Sequence, residues 1–248
     1  MIDWFRSRVV VRPAYPVLPK DHVVYAFGDL HGRSDLLDRA LATIDRTEAA
    51  RRRRVTEVYL GDYVDRGPDS AGVVDRLILR AEFHDTVMLR GNHEQLFRDA
   101  MDGEIGLDDW RRVGGLATLA SYGGDLPYLA GLADRPFAAA LEAMVPPAHR
   151  AFLERLVDRH RIGGYFFAHA GIRPGVALDA QSREDLHWIR EPFLGDDRDF
   201  GAVVVHGHTP ILAPEFRANR ICIDTGAYAT DRLTCLRIDD RGVDVVAV

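Results

Sequence analysis

Lysine is almost missing from this chain: of its 32 basic residues only Lys20 is not an arginine. We read that bias as genomic codon usage rather than function. Cysteine is nearly as scarce, with Cys222 and Cys235 alone, which excludes a disulfide-stapled scaffold. The two lie in apolar segments that could pair as neighbouring strands, and buried free thiols are expected rather than a disulfide. No apolar stretch approaches eighteen residues, so no membrane-spanning helix is expected. The N-terminal MIDWFRSRVVVRP is broken by Arg6, Arg8 and Arg12, unlike the continuous apolar core of a secretory signal. The cytoplasm is therefore the expected compartment. Excess positive charge is absent too. A net charge of -6 gives no overall attraction to nucleic acid or anionic lipid. There is no internal repeat and no low-complexity linker. What is present is 47% hydrophobic and 28% charged residues over 248 positions. That balance suits one large α/β-sized domain, residues 1–248, with a real core.

Short apolar runs recur, each followed at once by an unusual polar motif. His22–Phe27 leads into Gly28-Asp29-Leu30-His31-Gly32, and Val55–Leu60 into Gly61-Asp62-Tyr63-Val64-Asp65-Arg66-Gly67. Thr86–Arg90 precedes Gly91-Asn92-His93-Glu94, Gly164–Ala168 precedes His169-Ala170-Gly171, and Ala202–Val205 precedes His206-Gly207-His208-Thr209. These runs are rich in Val, Tyr and Phe and read as buried strands. Asp29 lies 33 residues before Asp62, and Asp62 lies 30 before Asn92. Each interval holds one strand–helix–strand unit. Ser34–Thr47 and Ser70–Phe83 carry helical periodicity there, with Ser34 and Ser70 as expected N-caps. The motifs then sit at the carboxyl ends of parallel strands, where open α/β sheets bind ligands.

From Glu94 to Arg161 the pattern is helical: Gln95–Met101, Trp110–Leu119, Pro136–Met144 and Ala148–Arg161. It is expected to form a helical insertion, about residues 95–161, beside the sheet. Arg232–Ile238 and Val243–Val248 read as closing antiparallel strands. Arg51–Arg54 is the one charge block, read as a solvated helix end, with a docking patch for an acidic partner as the alternative.

His31, His93, His169, His206 and His208 all fall at strand ends, together with Asp29, Asp62, Asp65 and Asn92. In Asp-x-His, extended backbone turns Asp29 and His31 to one side. A carboxylate such as Asp62 can bridge two cations, and a cation pair can clamp a phosphoryl group. Carboxylate, amide and imidazole donors without thiolate favour manganese, iron or zinc.

These motifs resemble the signature of the phosphoprotein phosphatase branch of the calcineurin-like metallophosphoesterases, most like the bacterial and bacteriophage serine/threonine phosphatases. The likeness covers about residues 22–228. It implies an α/β sandwich of two mixed sheets flanked by helices, and two divalent cations, manganese first. One cation would be held by Asp29, His31 and Asp62, the other by Asp62, Asn92, His169 and His208. A water or hydroxide between them would attack phosphorus directly. His93 would be the general acid, oriented by Asp65, and Arg66 would bind phosphate oxygens. The resemblance also implies a second phosphate-binding arginine. Arg190 is the candidate by position, with a surface role as the alternative. His206, Tyr228 and Asp224 are further residues expected to border the site. The implied substrate is a phosphorylated protein or small phosphoester, hydrolysed by a serine/threonine protein phosphatase. The competing enzyme is a symmetrical diadenosine tetraphosphate hydrolase or other polyphosphate hydrolase, whose motifs differ where Asp65 and Glu94 stand. A non-enzymatic scaffold would lack a ligand or the His93/Asp65 pair, and none is missing.

Overall fold

The computed structural model describes residues 14–246; the arginine-broken N-terminal segment and the last two residues lie outside them. The described strands are β1 (His22–Phe27), β2 (Arg54–Tyr59), β3 (Asp85–Met88), β4 (Arg159–Ile162), β5 (Tyr165–Ala168), β6 (Val203–His206), β7 (Glu215–Phe216), β8 (Arg220–Cys222), β9 (Cys235–Asp239) and β10 (Gly242–Val246). They build two mixed five-stranded sheets, ordered β10-β9-β1-β2-β3 and β4-β5-β6-β8-β7.

Alternation along the strands makes this a sandwich. In β1, Val24 and Ala26 enter the core between the sheets, whereas Val23, Tyr25 and Phe27 face the helices outside. In β5, Tyr165 and Phe167 point inward, and Phe166 and Ala168 pack outward on Leu186 and Phe193. Successive side chains leave a strand on opposite faces, so an unbroken apolar run buries both faces of its sheet. Each fully buried Phe or Val contributes roughly 1.5–3 kcal/mol of transfer free energy. β1–β2–β3 and β5–β6–β8 run parallel. Their carboxyl ends therefore release the polar motifs on one edge of the sandwich.

Helices α1 (Ser34–Glu48) and α2 (Ser70–Phe83) cover the first sheet. Their caps differ from expectation. Arg33 occupies the N-cap of α1, and Asp69 caps α2 by accepting from the Gly72 amide at 3.0 Å. Ser34 donates instead to Asp69, and Ser70 accepts from the Asp65 amide. Both serines are thereby diverted to binding loops together.

Helix α3 (Asn92–Asp102) opens the helical insertion. The expected Trp110–Leu119 helix is broken, because Gly114 has φ +109° and a Cβ there would come within 2.7–2.8 Å of Arg66. Only glycine tolerates that turn and approach. The expected Ala148–Arg161 helix is Pro147–Arg155, and Arg159–Ile162 is strand β4, recruited by pairing with β5. The Cys222 segment is strand β8, and β7 pairs antiparallel with it, a short strand that no sequence signal marks. Cys222 and Cys235 are buried free thiols, but they lie in different sheets rather than in neighbouring strands. The expected closing strands pair antiparallel as β9 and β10. In the arginine block, Arg51 and Arg53 pair with Glu48, Arg53 also with Asp239, and Arg54 with Asp85. This neutralisation favours the helix-end reading over a docking patch.

Candidate metal centre and active site

Five site residues have backbone in the left-handed region: His31 (φ 40°), Asp62 (53°), Asp65 (69°), Arg66 (68°) and His208 (65°). For residues with a Cβ this conformation costs roughly 1–3 kcal/mol each. It persists because the turns are tied down. His31 and Gly32 donate backbone bonds to Asp62 and Tyr63 carbonyls. The Glu94 carboxylate accepts from the amides of Asp62, Tyr63 and Gly91 at 2.7–2.9 Å. Glu94 is fully buried, and burial with the nearby Asp62 pushes its carboxyl up to about 7.

Around Asp62 the side chains converge. Its Oδ2 lies 3.4 Å from His31 Nε2 and 3.8 Å from His93 Nε2, and its Oδ1 lies 3.3 Å from His169 Nε2. The N-terminus of α3 also points here, with the His93 amide donating to Asp62 Oδ1 at 3.1 Å. Asn92 Oδ1 stands 2.9 Å from His169 Nε2 and 2.8 Å from His208 Nδ1. Asp29 reaches the cluster from β1, accepting from the His208 amide through Oδ2 at 3.1 Å. Close approach is enforced by Gly207, where a Cβ would lie 2.0 Å from Asp29 Oδ1.

The donor chemistry fits cations. His31 Nδ1 donates to the Val64 carbonyl and His169 Nδ1 to that of Leu60, at 2.8 and 2.9 Å. In neutral rings this leaves each Nε2 as a bare lone pair facing a carboxylate oxygen. Burial pulls His169 down to about 4 and His208 to about 3, so both are neutral at pH 7. Facing acceptors in a buried site repel unless positive charge lies between them. Among the described residues, Asp29 Oδ1 and His208 Nε2 are buried without a hydrogen-bond partner. Two groups have ligand atoms close enough to share an ion: His31, Asp62 and His93, and Asp62, His169 and His208. Asp62 belongs to both.

Beside this cluster lies a second, hydrogen-bonded unit. His93 Nδ1 donates to Asp65 Oδ2 at 2.7 Å, and Asp65 also accepts from Trp110 Nε1 at 3.0 Å and Thr118 Oγ1 at 2.6 Å. Arg66 Nη2 donates to His93 Nε2 at 3.1 Å. Burial alone would lower the His93 pKa, but Asp62 and Asp65 outweigh it and raise the net value.

A model of the calcineurin-like phosphoesterase family matches residues 22–248. The chain belongs to that family. Members use a dinuclear metal centre, and the two His/Asp groups here could hold metal. The phosphoesterase is 31% identical over 221 residues to serine/threonine-protein phosphatase 1 of Salmonella typhimurium, covering 87% of this chain and 91% of that protein. It is 25% identical over 195 residues to an asymmetrical bis(5'-nucleosyl)-tetraphosphatase of Anoxybacillus flavithermus, covering 72% and 74%. Among solved structures, a candidate diadenosine tetraphosphatase superposes with TM-score 0.65 at 20% identity, covering 95% of this chain and 97% of that one. A cold-active protein tyrosine phosphatase superposes with TM-score 0.57 at 17% identity, covering 93% and 80%. These two structures attest the fold.

The remaining sequence candidates separate in the phosphoesterase. Arg190 is exposed, its charge contributes to keeping His208 neutral, and its guanidinium has no hydrogen bond among the described residues. Tyr228 borders the site, edge-on to His31 at 5.4 Å, and Asp224 is buried close enough to Asp29 to raise its pKa. His206 is elsewhere. It packs on Phe193 at 4.9 Å on the outer face of its sheet. Trp110 and Thr118 went unrecognised in the sequence because both look like core positions of the insertion. Trp110 is fully buried and stacks on Phe97 at 5.2 Å, yet its N–H reaches Asp65. Trp110→Phe should keep that packing and leave Asp65 Oδ2 with His93 as its one remaining donor. We expect a loss of about 1–3 kcal/mol in urea unfolding, and a fall in kcat that tracks the weakened hold on His93.

Proposed function

We propose that this hydrolase is a phosphomonoesterase acting on phosphorylated protein, most simply a serine/threonine protein phosphatase, with residues 1–248 forming one phosphoesterase domain. The observation that carries the reading is the Asp65–His93–Arg66 unit beside the buried Asp62 cluster. Two divalent cations, manganese with iron or zinc as alternatives, would be held by Asp29, His31 and Asp62 and by Asp62, Asn92, His169 and His208, supplying Lewis-acid charge and an acidified water when bound. Arg66 offers a planar fork to phosphate oxygens, which suits bidentate recognition. Arg190 would add a second guanidinium from the His208 side. Asp65 holds the His93 ring through Nδ1; Nε2, which accepts from Arg66 in this structure, would take up the proton given to the leaving oxygen once Arg66 turns to phosphate. A proton held there assists the departure of a poor leaving group.

A serine or threonine alkoxide is a poor leaving group and needs such a proton. A nucleotide phosphate leaves with far less help, so the acid unit suits a phosphomonoester better than a dinucleoside polyphosphate. The likeness to the Salmonella phosphatase over 91% of its length supports the same choice. The dinucleoside tetraphosphatase relative supports the second reading, hydrolysis of dinucleoside polyphosphates. Parallel assays on a phosphoserine peptide and diadenosine tetraphosphate decide between them. We expect kcat/KM to favour the peptide by at least about tenfold, the effect of one well-used 1.4 kcal/mol interaction. Preference for the dinucleotide would replace the first reading with the second.

A further inference from the structure

Tyr228 occupies an unusual position. Its ring lies edge-on to His31 at 5.4 Å, and the Arg66 guanidinium carbon sits 5.0 Å above its centroid. The ring is 38% exposed. It therefore touches a candidate metal ligand, the candidate phosphate fork and solvent at once. Tyr228 belongs to a single helical turn, Ala227–Thr230, bounded by Gly226 (φ 63°) and Asp231 (φ 57°). So short a turn between two left-handed residues has little intrinsic stability. Locally, Thr230 Oγ1 donates to the Thr225 and Gly226 carbonyls at 2.8 and 3.1 Å and the Gly226 amide to Asp224 Oδ1 at 2.9 Å; a further anchor comes from outside the turn.

Arg33 supplies that anchor from the far end of the sequence. Two residues after His31, and only 9% exposed, it donates through Nη1 to the Ala227 carbonyl at 2.8 Å and to Asp231 Oδ1 at 2.6 Å. Its Nε and Nη2 donate to Asp35, both at 2.8 Å. One guanidinium thus grips both ends of the turn while α1 holds the guanidinium. The contacts link the His31 loop to residues 194 and 198 positions away. A lysine could not make this set, because one ammonium lacks the planar five-donor fork.

We propose that Arg33 is a positioning residue for phosphate binding. By clamping the turn 227–231 it seats the Tyr228 ring against the Arg66 guanidinium, and so fixes the direction in which Arg66 faces phosphate. The inference rests on the proposed phosphate-binding role of Arg66. An arginine on an aromatic face at a partly exposed site gains modest cation–π energy, so the effect belongs in binding rather than in the chemical step.

The test compares Arg33→Met, Asp231→Ala, Tyr228→Leu, the Arg33→Met/Tyr228→Leu pair and Arg66→Ala. Each is read by KM and kcat on a phosphoserine peptide, by the inhibition constant of inorganic phosphate, and by bound metal. Arg33→Met and Tyr228→Leu should each raise KM and the phosphate inhibition constant by about 3- to 20-fold, with kcat changing less and metal content unchanged. Asp231→Ala should show a smaller change in the same direction, and as an exposed substitution it keeps the test open if Arg33→Met fails to fold. The double variant should be no worse than the worse single, since the two residues act in one chain. Unchanged phosphate affinity in Arg33→Met, or additive losses in the double variant, would overturn the proposal. Weakened phosphate binding in Arg66→Ala but not in Arg33→Met or Asp231→Ala would remove this inference and leave the Arg66 reading standing. If Arg66→Ala itself binds phosphate normally, both fall.

Discussion

Exhaustive chelation is expected to abolish hydrolysis, by about 10³-fold or more, and added manganese to restore it. The size follows from the several kcal/mol of transition-state stabilisation that bound cations supply, at one tenfold step per 1.36 kcal/mol. The side chains left behind cannot substitute for them. Asp29 without a cation is pushed well above the usual carboxylate range by burial and by the neighbouring Asp224 and Asp62. Metal analysis should find about two ions per chain after reconstitution. Asp62→Asn should lose both, because this carboxylate faces His31 on one side and His169 on the other. Full turnover in protein shown to be metal-free would end the two-cation reading.

The sequence made the edge of the sandwich legible because the site is built from strand ends. Asp29, Asp62, Asn92, His169 and His208 closely follow apolar runs, and parallel strands release them all on the same edge; their final aim comes from left-handed turns and the start of α3 rather than from the extended backbone expected at Asp29 and His31. Sheet pairing was less visible. Cys222 and Cys235 sit in similar apolar runs, and nothing local distinguishes the sheet that holds each. The strand Arg159–Ile162 has the composition of a helix end, and only its antiparallel partner β5 makes it a strand. Partners that act across long separations were hidden for the same reason. Trp110 and Thr118 hydrogen-bond Asp65 from 45 and 53 residues away. Periodicity marks both as core, which they also are. The N-caps illustrate the local limit. Serine and aspartate are equivalent caps in isolation, and the choice of Asp69 follows from tertiary bonds that occupy Ser70.

His93 is where the reading is most exposed to test. Its Nδ1 is held by Asp65, and its Nε2 faces both Arg66 and Asp62. Without cations, burial lowers its pKa and Asp62 and Asp65 raise it, for a net rise; cations on Asp62 would offset the Asp62 share and leave that of Asp65. Activity on a phosphoserine peptide should fall along an alkaline limb as His93 loses its proton. In His93→Asn that limb should disappear.

The decisive measurement is the leaving-group dependence of His93→Asn, with bound metal determined on the same samples. General acid catalysis contributes about 10²–10⁴-fold. It matters most when the departing oxygen is a serine alkoxide, and little when it is p-nitrophenolate. The account predicts a loss of that order on the phosphoserine peptide, a much smaller loss on p-nitrophenyl phosphate, and metal content unchanged near two ions per chain. Equal losses on both substrates would contradict the acid role. Accompanied by a missing ion, they would make His93 a metal ligand alongside His31 and Asp62; with metals and fold intact, they would make it a group that stabilises the phosphoryl oxygens.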